Sequence, residues 1–112
     1  MAFLPYSPLA GGMLGGKPTE NERGRRAFLR QSNAIDAFET LCRSLGQRPA
    51  DVALAWLAHQ PGVTAPIVGP RTLAQFEANL AAIEIALNDD VIAKLNELFP
   101  GPGGAAPEAY AW

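Results

Sequence analysis

The chain has 112 residues, 48% of them hydrophobic, which is enough apolar material for the core of one small domain. Its formal net charge of -2 and pI near 5.3 give no electrostatic reason for a nucleic acid or an anionic membrane as partner, and no apolar run approaches the roughly 20 residues that cross a bilayer. A single cysteine and a single histidine exclude an intrachain disulfide and the usual four-ligand zinc set; with no secretory pattern at the start, a reducing cytoplasm fits.

In chain order, Ala2 to Tyr6 reads as a buried strand, and Ser7-Pro8-Leu9-Ala10-Gly11-Gly12 leaves it as a loop whose glycines let backbone approach a ligand. Met13 to Arg26 mixes Gly, Pro and charge without a sustained period, the pattern of a long connection. From Asn33 to Leu45 the positions Ile35, Phe38, Leu41, Cys42 and Leu45 follow a helical period, with Asn33 as N-cap and Gly46 as the stop. Pro49 suits the first turn of a second helix, Ala50 to about His59, ended by Pro61-Gly62. Cys42 falls on an apolar face, the place of an inert thiol; His59, in a last helical turn, suits a cap or a surface role, and Trp56 suits packing.

The stretch Val63 to Leu80 is the most informative. Thr64 to Val68 is a short apolar strand broken by Gly69-Pro70, and Arg71-Thr72 opens a helix. The free N–H groups of a first helical turn and the helix dipole favour an anion at such a junction, and Arg71 adds a forked cationic donor. Leu73, Phe76, Leu80 and Ile83 form a stripe expected to pack, while Arg71, Gln75 and Asn79 lie on another side. That second side is either a solvated face or a binding face, and spacing does not separate the two. Asn88-Asp89-Asp90 begins a last helix to about Leu98, with Val91, Ile92, Leu95 and Leu98 buried, and Phe99 to Trp112 is an irregular tail.

Val68-Gly69-Pro70-Arg71-Thr72 followed by Gln75 and Asn79 resembles the cofactor segment of the aldo-keto reductases, and Phe3 to Gly12 resembles the seventh barrel strand of that family and the loop after it. The resemblance implies an α/β fold: residues 1–99 as the C-terminal part of a (β/α)8 TIM barrel, mainly helical with two short parallel-type strands, and 100–112 as a tail. It implies NADPH as cofactor and a small carbonyl substrate in the complete protein. Tyr6 would stack on the nicotinamide; Ser7, Pro8, Leu9 and Gly11 would line the pyrophosphate; Gly69 would lie against the ribose; Arg71 would pair with the 2′-phosphate; Gln75 and Asn79 would bind the adenosine end.

Two departures accompany the resemblance. Ala78 stands where the family usually has an acidic residue that holds the adenine amine. The Asp, Tyr, Lys and His with which the family performs catalysis belong to the first half of the barrel and match no motif here, so no catalytic residue is assigned. The expected function is therefore the NADPH-binding portion of a reductase, inactive alone. The other class open to this sequence is a small helical domain that binds a nucleotide or a protein without redox chemistry.

Overall fold

The computed structural model describes residues 2–9, 14–16 and 33–100. Four helices appear there: α1 (Asn33–Ser44), α2 (Pro49–Ala58), α3 (Leu73–Ala82) and α4 (Asp89–Leu98). Their bounds follow local chemistry. Helix α1 ends where Gly46, at φ +66°, turns the chain so that Gln47 N–H reaches Cys42 O (3.1 Å) and Gly46 N–H reaches Arg43 O (3.1 Å), which satisfies carbonyls the helix would leave orphaned. Pro49 occupies the first turn of α2, where its missing N–H costs nothing. Beyond α2, Pro61 and Gly62 (φ +87°) form a turn closed by Val63 N–H on Gln60 O at 3.1 Å. Helix α4 is capped by Asn88 Oδ1, which accepts from Val91 N–H at 2.9 Å, with Asp89 and Asp90 at the positive end of the dipole.

The core lies where α1, α2 and α4 meet. Phe38 and Cys42 from α1, Val52 and Ala53 from α2, and Val91 and Leu95 from α4 form one buried cluster, edged by Leu9, Leu14, Leu41, Trp56 and Phe99. Phe38 meets Phe99 edge to face, with centroids 5.8 Å apart and planes at 76°, the arrangement the ring quadrupoles favour. Burial, followed by the nearby charge of Glu39, pushes the Cys42 thiol up to about 11, so it is a packed and unreactive group at neutral pH.

Two expectations need correction. The segments Ala2–Tyr6 and Thr64–Val68 are not strands, although they run side by side in the parallel sense: Thr64 N–H donates to Phe3 O (2.9 Å), Ile67 N–H to Pro5 O (2.8 Å), and Phe3 N–H to Thr64 Oγ1 (3.1 Å). A regular parallel ladder from the first of these bonds would next need N–H groups at residues 5 and 66, and both are proline. The second correction concerns α3. Its stripe of Leu73, Phe76, Leu80 and Ile83 is exposed, from 42% to 71%, and α3 leans on α2 with only Ala82 buried. The periodicity predicted that this stripe packs, but the small side of the helix, Ala78 and Ala82, is the one turned inward in this chain. Phe3, Leu4 and Ile67 are likewise more than half exposed.

The two environments predict different responses to one substitution. Phe38→Ala removes a ring that is 2% exposed and should cost about 3–5 kcal/mol of unfolding free energy. Phe76→Ala acts on a ring that is 46% exposed and should cost about 1 kcal/mol or less in this chain. Urea titration of the two variants followed by circular dichroism measures the difference.

Candidate functional site

The loop after the first extended segment is held in an unusual conformation. Ser7 has φ +53°, in the left-handed region that costs an L-residue roughly 1–2 kcal/mol, and it precedes a proline that restricts it further. Beyond it, Leu14 N–H donates to Leu9 O (3.1 Å), and both leucines pack against the helical core. Left-handed backbone at a residue other than glycine is a local strain that the surrounding structure must hold in place.

Opposite lies the start of α3. Thr72 is its N-cap, with Oγ1 accepting from Gln75 N–H at 3.2 Å, while Gln75 Oε1 accepts from Arg71 N–H at 2.7 Å. This reciprocal pair differs from the common capping box by one residue, because the glutamine reaches past the cap to the preceding N–H. Gln75 therefore shapes the turn itself, and its amide donors stay available. A Cβ added at Gly69 would meet nothing within 4 Å, so packing within the chain does not demand glycine there.

Between loop and helix is a cleft of about 480 Å³. It brings together Ser7, Pro8, Leu9, Gly69, Gln75 and Asn79, residues from two segments about sixty positions apart, with Ala78 also in its wall. Three expected residues are not in that wall. Tyr6 is 80% exposed and borders a second, apolar cavity of about 300 Å³ shared with Trp56 and Phe99; Arg71 is exposed outside the wall; Gly11 falls outside the described residues.

The sequence reading missed Arg48 and Asp51, which line the same cleft. Arg48 Nε donates to Asp51 Oδ2 at 2.7 Å and its Nη2 to Asp51 Oδ1 at 2.8 Å, a two-pronged pair at the entry to α2. The hydrogen bonds to Asp51, and then its charge, hold the Arg48 guanidinium above its ordinary pKa. The Arg-Pro-Ala-Asp spacing, with opposite charges three residues apart around a helix start, was the available signal. His59 caps the far end of α2, with Nδ1 2.8 Å from Ala55 O, and does not line the cleft. Among the described residues no three His, Cys, Asp or Glu side chains are grouped to hold a metal ion, and no helix is long and apolar enough to cross a membrane.

Comparison with known proteins bears on this arrangement. The family model for the aldo/keto reductase family matches residues 1–99. The oxidoreductase YrpG of Bacillus subtilis is 45% identical across the whole chain, which spans 36% of that protein. An oxidoreductase of Mycobacterium bovis is 39% identical over 76% of the chain and 29% of its own length, and norsolorinic acid reductase B of Dothistroma septosporum is 29% identical over 93% of the chain and 29% of its own length. The chain thus spans about a third of the length of these relatives.

The capping arrangement makes a prediction independent of any ligand. Thr72→Ala leaves Gln75 N–H without its acceptor and should cost about 1 kcal/mol, whereas Thr72→Ser should be close to neutral. Thermal melts of both variants check this.

Proposed function

The chain belongs to the aldo/keto reductase family, and from that premise we propose that it is the NADPH-binding C-terminal portion of a (β/α)8-barrel oxidoreductase that reduces aldehydes or ketones. The observation that carries the proposal is the cleft, which joins Ser7, Pro8 and Leu9 to Gly69, Gln75 and Asn79 although about sixty residues separate the two groups.

The residues present fit a dinucleotide. The backbone N–H groups of Ser7 and Leu9 are donors for the pyrophosphate, while Pro8 has none and serves to fix the loop. Gly69 keeps one wall free of side chain beside the ribose, Gln75 and Asn79 offer amides to the adenosine end, and Arg71 reaches the 2′-phosphate from outside the cleft wall. Ala78 supplies no acceptor for the adenine amine, which favours weaker binding than a carboxylate would give. Tyr6, with its ring 80% exposed, offers a face on which the nicotinamide stacks. When bound, NADPH supplies the hydride for carbonyl reduction. The residues of this chain bind and orient; the proton for the carbonyl oxygen comes from a tyrosine acid in the remainder of the barrel. The exposed faces of α3 and of the two extended segments are where that remainder packs.

A second reading, a small binding domain without redox chemistry, is favoured by one observation: α1, α2 and α4 close a core of their own. A monodisperse, cooperatively melting chain with no affinity for NADPH would support it.

Two outcomes test the primary reading. The 112-residue chain mixed with NADPH and a reactive aldehyde should oxidise no cofactor above a protein-free control, because general acid catalysis alone is worth about 10² to 10⁴ in rate. Turnover abolished by Tyr6→Ala or Arg71→Ala would refute it. In the complete protein Arg71→Ala should weaken NADPH by about tenfold and leave NADH nearly unchanged, since the contact to the 2′-phosphate is charge-assisted. Isothermal titration with both cofactors measures this; equal losses would return Arg71 to the solvated face.

A further inference from the structure

The cleft wall contains one cation, Arg48, and one carboxylate, Asp51, and the family resemblance assigns neither. A guanidinium presents two forked edges, one formed by Nε and Nη2 and the other by Nη1 and Nη2. Asp51 takes the first edge with both of its oxygens, so the plane of Arg48 is fixed, and Nη1 has no partner among the described residues. The arginine side chain is 66% exposed and its carboxylate partner 15%, so the carboxylate is the sheltered member and the guanidinium the one presented to solvent. The same wall holds Ser7, Pro8 and Leu9.

We propose that Arg48 is an anion-binding residue of this cleft, gripping the pyrophosphate of the dinucleotide with the guanidinium edge that Asp51 leaves free. This rests on the reading of the cleft as a cofactor site, and adds to it a contact made from the start of α2. Asp51 is then a positioning residue: it aims the fork at a small cost in net attraction, because the pair as a whole is neutral. A planar fork held in advance loses less side-chain freedom on binding than a free arginine does. Pyrophosphate is common to NADPH and NADH, so Arg48 contributes to both equally, in contrast to Arg71.

The test is titration of the complete protein with NADPH and with NADH, followed by tryptophan fluorescence, for the wild type, Arg48→Ala and Arg48→Lys at several salt concentrations. Arg48→Ala should raise both dissociation constants by the same factor, roughly five- to tenfold for a charge-assisted contact at an exposed site. Arg48→Lys, which keeps the charge and loses the fork, should fall between. The salt dependence of binding should flatten in the alanine variant; because that variant also bares the Asp51 carboxylate, Arg48→Ala/Asp51→Ala is measured beside it and should show a comparable loss, whereas recovery of wild-type affinity in the double variant overturns the proposal. A melting curve near that of the wild type identifies the loss as one of contact, and if Arg48→Ala does not fold, the lysine variant carries the comparison. Unchanged affinity in the folded variants overturns the proposal while the cofactor reading stands. A loss confined to NADPH also overturns it, because the anion would then be the 2′-phosphate. A wild type that binds neither cofactor removes both readings together.

Discussion

Two backbone hydrogen bonds, from Thr64 to Phe3 and from Ile67 to Pro5, are the constraint on which the cleft depends. They join segments about sixty residues apart and set the loop at Ser7 opposite the start of α3. The hydroxyl of Thr64 adds a third link, accepting from Phe3 N–H in place of a ladder partner. Such pairing is slow to find and weak when isolated, because closing a long loop costs entropy before any contact repays it. Leu9 and Leu14 pack against the core that α1, α2 and α4 form.

The prolines explain why pairing stops short of a sheet. Pro5 and Pro66 remove the donors that would continue the ladder, and the second bond slips to Ile67. In a barrel each strand is held on two sides, so a missing donor on one edge is a local loss. In the chain alone the same omission leaves a single irregular seam. The apolar residues on these segments tell a consistent story: Phe3, Leu4 and Ile67 have the composition of buried strand positions and the exposure of a surface.

Helix α3 carries the same tension. It is apolar on two sides, an alanine side against α2 and a Leu-Phe-Leu-Ile side turned outward, which is the pattern of a helix that sits between two layers. Only one layer is present among the described residues. Its N-terminal turn is nevertheless well specified, because Thr72 and Gln75 satisfy each other's neighbourhood without help from any other element. The cleft therefore has one wall set by local capping and another set by core packing, joined through the seam between the extended segments.

The sequence alone determined the four helices, because their caps and stops are local: Gly46, Pro49, Thr72 and Asn88 act on backbone groups within a few residues. It also singled out Ser7, Pro8, Leu9, Gly69, Gln75 and Asn79 through two separated motifs, residues that line one cleft, and anticipated the burial of Phe38, Cys42, Val91 and Leu95 through period. Tertiary structure decided what no local rule contains. Which side of α3 turns inward depends on what lies beside it, and the small alanine face allows the closer approach to α2. Whether extended segments become strands depends on donors meeting acceptors across sixty residues, where two prolines meet the places that need N–H groups. The same holds for Arg48 and Asp51: their pairing is legible as a spacing of three residues, but only packing of α2 beside the Ser7 loop puts that pair in the wall of the cleft.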